Sequence, residues 1–542
     1  MKPVRVLLIG WDGAEPGLVE PWVAQERLPV LAAGVAWGRL GRVRSTVPPL
    51  TPPAWTTMLT GVNPGRHGVY GFTRLGPGRR EVPVTAADRR APTVWQYLTA
   101  AGLRVGLFNL SASYPPEAVN GFVLPGFETP VFGPEMTHPR EAFEVAMAGV
   151  RGYVHEGVDR LRGEQAAAHL RQQMRLQQGM LRRLMQEWPV DVLAVILNGI
   201  DRIHHRAWPE GRSVEEVAQA EGTAVEEIYR ECDAILGDLL EEYADEETEV
   251  VVVSDHGGGP LRGRIVLGRA LEEGGFLKRR EVDKSRDALV LLVKLARRVV
   301  PARVRPVLWA LSGAKLRRRA EERQREEQRV LLDWEQTVAY PWGAGFAQVP
   351  VRGPEGEGGV APEDRERVRE EVAAYIRGLR DPATGEPLAI RVRRGEEVYD
   401  EPRLGCVPDL VVDPGEGAWA VVPWSEAKSG PSVEWFERWR DRPKGLMGVH
   451  RPWGMVATWG PAVQPGGEAP RLEMADLAPA LLYLGGVAIP EGLDGRLHRE
   501  VWHTGREPEW QAPAEVVVGE AEAYSEAEEA VVARRLGDLG YM

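Results

Sequence analysis

The chain has 542 residues, of which 43% are hydrophobic and 27% are charged. That length exceeds the roughly 100–200 residues of an ordinary domain, and the apolar share is sufficient for a large core. The formal net charge of −12 excludes a general nucleic-acid binder, because that function needs a basic surface, so we expect no nucleic-acid polymer as a partner.

The cysteines and the apolar runs bear on location. Cys232 and Cys406 lie far apart and belong to no closely spaced metal motif, which is typical of a protein in the reducing cytoplasm. The N-terminal apolar run stops at Gly10, too early for a signal peptide. No apolar stretch reaches the roughly 18 residues of a membrane span. We therefore expect a cytoplasmic protein without a transmembrane segment, while its oligomeric state is left open.

Short aliphatic and β-branched runs predict buried strands of a parallel sheet. In chain order they are Val4–Ile9, Val105–Asn109, Val190–Leu197, Glu249–Val253 and Met455–Thr458. Between them, segments rich in Ala, Leu, Glu, Arg and Gln predict helices over Gln165–Glu187 and Ser213–Tyr243. This alternation indicates an α/β fold with a mostly parallel central sheet and helices on both faces. Ligands in such folds collect at the carboxyl ends of the strands.

A basic segment over residues 279–329 interrupts this pattern, because it mixes Leu and Val with many Arg and Lys residues. It predicts an amphipathic helical insertion, either a cap over the site or a solvated helical arm, with contact to a membrane surface or an acidic partner as a weaker alternative. We expect a catalytic core in two parts, residues 1–275 and 336–505, separated by this insertion or cap at 276–335 and followed by a C-terminal tail at 506–542.

Carboxylates and imidazoles follow three of the predicted strands. Asp12 follows the first strand, Asp201 and His205 stand four residues apart after another, and Asp255 and His256 end a third. A lone Asp-Gly is usually a turn, and a helical Asp–His pair is common. Adjacent Asp and His at the end of a buried strand are harder to explain structurally, because burying them unpaired is costly. Together these ligand types suit zinc or manganese, and two such ions can hold both reacting oxygens of a phosphoryl transfer.

A nucleophile is sought in the stretch Ser45–Gly61, where a Pro-rich loop runs into a Thr-rich helix start. Such a start exposes hydroxyl groups and helix N-terminal amides, which favour anionic oxygens. The same residue types also serve as purely structural helix caps, so the pattern alone does not decide between the two roles.

Six motifs recur in a characteristic order: Asp12-Gly13, the Thr51 loop ending at Gly61, Asn63–Gly68, Asp201 with His205, Ser254–Gly257 and Gly448–His450. In this order they resemble the type I phosphodiesterase/nucleotide pyrophosphatase branch of the alkaline phosphatase superfamily. The resemblance is closer to prokaryotic members described as predicted phosphohydrolases or phosphomutases. It spans about residues 4–260 and 400–500.

The resemblance implies an alkaline phosphatase-like fold, a small-molecule phosphate ester substrate and two divalent metal ions, either zinc or manganese. One metal would be held by Asp201, His205 and His450, and the other by Asp12, Asp255 and His256, with the Thr51 hydroxyl as a further ligand. Thr51 would attack phosphorus and form a covalent phosphothreonine, which water would then hydrolyse. His450 owes its role to the family pattern, because alone it would pass as a surface-loop histidine.

One position departs from the pattern. Nucleotide pyrophosphatases of this branch carry an Asn shortly after the His-Gly of the nucleophile segment, and Phe72 stands there in this chain. Asn198 or Arg202 is then expected to hold the phosphate oxygen. We therefore expect a phosphodiesterase or phosphomonoesterase of unknown substrate rather than a nucleotide pyrophosphatase. A phosphomutase and a non-catalytic phosphate-ligand binding protein are the alternatives.

Four further residues are expected to have supporting or structural roles rather than catalytic ones. His204 is expected to be an exposed neighbour, or else to support a metal ligand or face the substrate. His67 is interpreted as a turn residue, although the family resemblance places it near the active-site loop. Trp55 and Trp208 are interpreted as packing groups.

Overall fold

The computed structural model describes residues 3–153, 161–280, 332–352, 359–399, 407–425, 429–438, 442, 446–466, 471–514 and 524–539. The predicted basic helical insertion falls almost entirely on residues 281–331, outside the described ones, so its helical character and its role as a cap stay predictions. Cys406 also lies outside them, whereas Cys232 is a buried free thiol.

A central sheet of eight strands is formed by the described part of the chain. In chain order the strands are β1 Val6–Trp11, β2 Arg39–Arg44, β3 Val105–Leu110, β4 Gly121–Pro125, β5 Val192–Leu197, β6 Glu249–Val253, β7 Trp453–Trp459 and β8 Arg471–Glu473. Their spatial order is β8-β2-β7-β6-β1-β5-β3-β4. Every pairing among them is parallel except those of β7 with β6 and with β2. The predicted α/β fold with a mostly parallel sheet is confirmed.

The prediction that Met455–Thr458 belongs to a parallel strand was wrong. These residues lie in β7, which is antiparallel to β6. The short strand just before β7, Gly448–Arg451, pairs antiparallel with Gly257–Pro260, the strand that directly follows β6. The chain therefore returns along the extension of β6 and enters the sheet in the opposite direction.

Helices cover both faces of the sheet, as predicted. Leu7 and Ile9 pack in one core cluster, and Val6 and Leu8 pack in another on the opposite face, as the two-residue period of a strand requires. The α-helices are Pro16–Ala24, Pro29–Ala36, Thr51–Thr60, Pro64–His67, Val94–Ala100, Ala142–Met147, Gly163–Glu187, Gly199–Ala207, Val214–Gln219, Ala224–Tyr243, Leu267–Glu273, Arg365–Arg377, Gly395–Val398, Leu477–Gly485 and Glu526–Leu539. Within the described residues, no helix combines the length and apolarity needed to cross a membrane.

The remaining elements are short. The further strands are Thr73–Leu75, Glu81–Pro83, Gly257–Pro260, Gly263–Val266, Tyr340–Trp342, Phe346–Gln348, Arg391–Arg394, Leu410–Asp413, Trp419–Val422, Val433–Trp435, Gly448–Arg451, Ile489–Pro490 and Trp510–Gln511. The 3-10 helices are Pro77–Arg79, Ala86–Asp88, Pro134–Met136, Pro362–Asp364 and Met474–Asp476.

The single helix predicted over Ser213–Tyr243 is two helices, Val214–Gln219 and Ala224–Tyr243. Gly222 between them has φ of +66°, in the left-handed region that ends helices. Thr223 then caps the second helix by accepting a hydrogen bond from the Glu226 amide at 3.1 Å. The composition of this segment is typical of a helix throughout, but the backbone at Gly222 and the cap at Thr223 divide it into two helices.

The chain divides into two compact units. The first comprises Met1–Leu267, Pro341–Gln348 and Ala373–Met542, and the second comprises Gly268–Tyr340 and Val349–Val372. The central sheet and all the candidate site residues belong to the first unit. In the second unit, a β-bridge between Arg279 and Leu332 joins the chain just before and just after residues 281–331.

Gly10 in β1 allows close packing beneath the site. A Cβ at this position would lie 2.4 Å from Ile196 Cδ1 and 2.6 Å from Trp55 Cη2. We expect Gly10→Ala to lower the free energy of unfolding by about 1–3 kcal/mol, as overpacking does. Chemical denaturation would measure it.

Two variants control this prediction. Ile196→Val removes the clashing Cδ1, so the double variant with Gly10→Ala should be less destabilised than the sum of the single variants. Gly179→Ala, on helix Gly163–Glu187 with only Arg183 Nη1 within contact at 3.5 Å, should be neutral or stabilising. Additive losses would refute the clash at Gly10.

Candidate active site

The site lies at the carboxyl ends of three adjacent strands, β6, β1 and β5. Asp255, Asp12 and Asp201 follow these strands, and the parallel pairing places all three at one edge of the sheet. The backbone ties them together, since the Asp201 amide donates to the Asp12 carbonyl at 2.9 Å and the Gly13 amide donates to Asp255 Oδ1 at 3.1 Å.

His450 reaches the same edge from the antiparallel strand. It lies in Gly448–Arg451, opposite Gly258, and is buried. β7 is antiparallel to β6. The residues just before β7 therefore lie at the same edge of the sheet as the residues just after β6. His450 taken alone would pass as a surface-loop histidine, and only strand direction reveals its position beside the other candidate ligands.

The first group of polar side chains consists of Asp201, His205 and His450. Asp201 Oδ1 lies 3.2 Å from each histidine Nε2, and the two Nε2 atoms are 3.1 Å apart. The Nδ1 atoms contact backbone carbonyls, that of His205 at Gly448 (2.9 Å) and that of His450 at Pro49 (2.8 Å). Because a carbonyl only accepts, each Nδ1 carries the hydrogen in the neutral ring, and each Nε2 turns a lone pair towards Asp201.

The second group consists of Asp12, Asp255 and His256, whose candidate ligand atoms all lie within 4.8 Å of one another. His256 Nε2 is 3.3 Å from Asp255 Oδ2 and 3.8 Å from Asp12 Oδ1, while its Nδ1 donates to the Gly257 carbonyl at 3.0 Å. The two groups are side by side, because the rings of His256 and His450 stack at 3.7 Å between centroids.

The electrostatics of both groups fit cation binding. Burial raises the pKa of Asp12 well above its usual range, with Asp255 adding to the effect, and burial likewise raises the pKa of Asp255. Burial also raises the pKa of Asp201, but His205 and His450 outweigh it and hold that pKa well below its usual range. Burial lowers the pKa of His256, which favours the neutral ring.

Two buried carboxylate oxygens that lack a hydrogen-bond partner also favour cation binding. Asp12 Oδ1 and Asp255 Oδ2 are buried and have no hydrogen-bond partner among the described residues. Buried carboxylates are costly unless paired with a positive charge. Carboxylate oxygens and imidazole Nε2 atoms together form a donor set suited to zinc or manganese, so these residues fit the metals that the sequence implies.

Thr51 is the first residue of the buried helix Thr51–Thr60. Its Oγ1 lies 3.2 Å from His256 Nε2. Pro52 and Pro53 have no backbone N–H, so in the first three residues of the helix only Thr51 supplies one, at the end that favours anions. The preceding loop is tied to the site by the bond from His450 Nδ1 to the Pro49 carbonyl.

His67 and Trp55 support this helix. His67 is fully buried, and its Nδ1 accepts from the Val69 amide, so its Nε2 donates to Thr57 Oγ1 at 2.9 Å. Burial lowers its pKa to about 3, so the ring is neutral. Trp55 is a packing group, as predicted, but its Nε1 also lies 3.5 Å from Asp12 Oδ2.

His204 is not an exposed neighbour, which corrects one of the two expectations for it. It is buried, and its Nε2 lies 3.3 Å from the Tyr229 hydroxyl. A Cβ at Gly258 would lie 2.0 Å from His204 Nδ1, so this ring packs where only glycine leaves room. Trp208 is buried, in agreement with a packing role.

Asn198 and Arg202 lie beside the metal-ligand groups rather than among them. Both line a narrow cleft with a volume of about 10 Å³, together with Phe127. The Arg202 guanidinium lies 5.6 Å from the centroid of the Phe127 ring, and that ring is 6.4 Å from the ring of Phe72. The Phe72 position is thus linked to Arg202 through one aromatic contact.

Comparison with known proteins identifies the family. Residues 6–441 match the family described as "Type I phosphodiesterase / nucleotide pyrophosphatase". Similar solved structures include human ectonucleotide pyrophosphatase / phosphodiesterase 5, which is 12% identical with a TM-score of 0.48 over 91% of this chain and 97% of that one. They also include an inactive variant of the murine protein in complex with AMP, 12% identical with a TM-score of 0.49 over 91% of this chain and 98% of that one.

None of the curated proteins is a significant match to this sequence. The family match covers most of the chain and ends before His450. It confirms the family indicated by the order of the six sequence motifs. The chain belongs to the type I phosphodiesterase/nucleotide pyrophosphatase family and is a phosphoric ester hydrolase.

Proposed function

We propose that the chain hydrolyses phosphodiesters or phosphomonoesters at a two-metal site with Thr51 as its nucleophile. The observation that carries this proposal is the position of Thr51 Oγ1, at a helix N-terminus and 3.2 Å from His256 Nε2. Around it stand two contiguous groups of carboxylate and imidazole side chains, which are all buried except the half-buried Asp201. A hydroxyl in such surroundings is placed to attack an anionic substrate.

Each group of side chains would hold one ion. Asp201, His205 and His450 would hold the first, and Asp12, Asp255 and His256 would hold the second, with Thr51 beside it. When bound, two divalent ions, zinc or manganese, neutralise phosphate charge and favour the ionised hydroxyl. The carbonyls of Gly448, Pro49 and Gly257 orient the histidines by accepting from their Nδ1 atoms.

Thr51 performs the covalent step. After its proton has passed to solvent, Oγ1 attacks phosphorus, the new P–O bond forms, and the bond to the departing alcohol breaks. Water then attacks the phosphothreonine, releasing the phosphate product and restoring the hydroxyl. The Thr51 N–H and the helix dipole stabilise the negative oxygens throughout, and the bond from His67 to Thr57 helps to hold the helix in place.

Arg202 is proposed to hold the phosphate oxygen that an Asn holds in nucleotide pyrophosphatases. Phe72 at the Asn position packs on Phe127, and the guanidinium lies over that same ring. A guanidinium offers several fixed donors and a permanent charge, which suit a phosphate oxygen. Asn198, which lines the same cleft, would assist.

The alternatives lack a favouring observation in the described residues. A phosphomutase would share the first step and needs a closed cap, but the candidate cap falls on residues 281–331. A non-catalytic binding protein would not require the Thr51 hydroxyl to lie beside a metal-ligand histidine, as it does beside His256.

The nucleophile can be tested by substitution. We expect Thr51→Ala to lower kcat by about 10³-fold or more, because the covalent step is lost. Hydrolysis of bis-p-nitrophenyl phosphate by metal-reconstituted protein would measure this, and mass spectrometry of acid-quenched wild type should find phosphate on Thr51.

Thr60→Ala is the matched control. Thr60 is a buried threonine of the same helix whose hydroxyl donates to the Thr56 carbonyl. We expect its activity to stay within about threefold of wild type, since losing one such hydrogen bond costs about 1 kcal/mol of stability and touches no reacting atom. Full activity in Thr51→Ala would contradict the proposed mechanism.

The metals can be counted directly. We expect about two zinc or manganese ions per chain in wild type and about one in Asp255→Ala, because the second group loses a carboxylate. Elemental analysis after dialysis would measure both. Asp233→Ala is the control, because Asp233 is a buried carboxylate that instead accepts from the Val30 and Leu31 amides, so it should keep both ions. Loss of metal from the control but not from Asp255→Ala would refute the assignment.

Metal binding should also depend on pH. The pKa values of Asp12 and Asp255 are raised in the metal-free protein, so protons compete with metal for these oxygens. Affinity should therefore increase as pH rises, and binding should release protons. Calorimetry in buffers of different ionisation enthalpy would detect the release, and identical heats in all buffers would contradict this prediction.

A further inference from the structure

The C-terminal helix Glu526–Leu539 packs beside the loop that carries the proposed nucleophile. Its buried side chains Val532 and Leu536 belong to one apolar cluster with Leu50 and Phe72. Leu50 directly precedes the proposed nucleophile, and Phe72 stands at the position where nucleotide pyrophosphatases carry an Asn. The C-terminal helix therefore shares its apolar packing with two segments of the candidate site.

Two side chains of this C-terminal segment also hold three consecutive backbone carbonyls that follow β4. Arg535 Nη1 donates to the carbonyl of Phe127 at 3.2 Å and to the carbonyl of Thr129. The Tyr524 hydroxyl donates to the carbonyl between them, that of Glu128, at 3.1 Å. Hydrogen bonds from a charged donor are stronger than those between neutral groups. The C-terminal segment thus fixes this stretch of backbone.

The side chains carried by this backbone lie near Arg202. The Arg202 guanidinium is 5.6 Å from the centroid of the Phe127 ring, a distance at which cation and ring attract each other. Glu128 is buried and accepts a hydrogen bond from the Ser111 hydroxyl. Burial raises the pKa of the Glu128 carboxyl, while the Ser111 hydroxyl and the charge of Arg202 oppose that rise. The stretch after β4 therefore gives Arg202 an aromatic surface and a carboxyl neighbour.

The sheet itself restrains this stretch only in part. The pairing of β4 with β3 ends at Pro125, so residues 127–129 lie beyond the last paired residue of the strand. An arginine side chain has several rotatable bonds, and fixing it before a ligand arrives makes binding more favourable. Phe127 can fix Arg202 only if its own backbone is held, and the C-terminal segment supplies that restraint.

We propose that Arg535 is a positioning residue for Arg202, and that the C-terminal helix is through it a part of the active site. The inference rests on the proposed function, in which Arg202 holds a phosphate oxygen. Arg535 acts through the backbone of Phe127 rather than on the reacting atoms. Its contribution should therefore disappear when Arg202 is removed.

A double-mutant cycle on the full chain tests this dependence. We expect Arg535→Met to lower kcat/KM for bis-p-nitrophenyl phosphate about tenfold in metal-reconstituted protein, mostly by raising KM, because a substrate-binding group loses its fixed position. The same substitution in the Arg202→Met background should lower kcat/KM by less than about twofold, because the group that it positions is absent. Arg535→Lys keeps a charged donor and should recover activity to within about threefold of wild type.

Arg534→Met is the matched control. Arg534 is the exposed neighbour of Arg535 on the same helix, so this variant loses the same charge, and its kcat/KM should stay within about twofold of wild type. Should Arg535→Met fail to fold, Tyr524→Phe decides in its place, since it keeps the ring stacked on Tyr114 and loses only the hydroxyl. It should lower kcat/KM about threefold, and only when Arg202 is present.

Three results would overturn the inference while leaving the proposed function intact. They are wild-type kcat/KM in Arg535→Met, an equal loss with and without Arg202, and an equal loss in Arg534→Met. An equal loss with and without Arg202 would indicate that Arg535 only stabilises the fold.

If wild type cleaves no ester with metal present, the proposed function fails, and binding of inorganic phosphate then decides the inference. Calorimetry with the metal-loaded protein should find binding about tenfold weaker in Arg535→Met than in wild type and unchanged in Arg534→Met. Equal dissociation constants in wild type and Arg535→Met, or no phosphate binding by wild type, would overturn the inference.

Discussion

The carboxylates of Asp12 and Asp255 are buried, and that of Asp201 is half-buried, at one edge of the central sheet. Like charges in a medium of low dielectric constant repel strongly, and removing them from water is itself costly. The protein offsets only part of this cost, through the Gly13 amide on Asp255 and the Trp55 indole on Asp12. The remaining cost explains why this edge of the sheet suits divalent cations.

The surroundings of the site keep the imidazoles in one orientation. Three backbone carbonyls accept from the Nδ1 atoms, so the Nε2 lone pairs of His205, His450 and His256 all face the carboxylates. Glycine makes this possible at Gly258, where a side chain would collide with His204, and at Gly448, where it would collide with the His204 carbonyl. The two strands that carry these glycines pair with each other and position His450.

The candidate metal site and the neighbouring cleft lie at the carboxyl ends of adjacent strands. The ends of β6, β1 and β5 carry the candidate metal ligands, and the ends of β5 and β3 carry amides and one guanidinium. The helix Thr51–Thr60 brings Thr51, the proposed nucleophile, to the first of these places.

The sequence by itself determined the fold class and the family, because buried strands and six ordered motifs are local patterns. It also indicated Asp12, Asp201, His205, Asp255 and His256, since each stands at or shortly after a strand end. It missed the direction of β7, the break at Gly222 and the burial of His204 and His67, because strand pairing, backbone φ and packing are set by distant contacts. Only the tertiary structure brought His450 to Asp201, and only it joined Asn109 to Arg202 in one cleft, because residues far apart in sequence meet where the sheet places their strands.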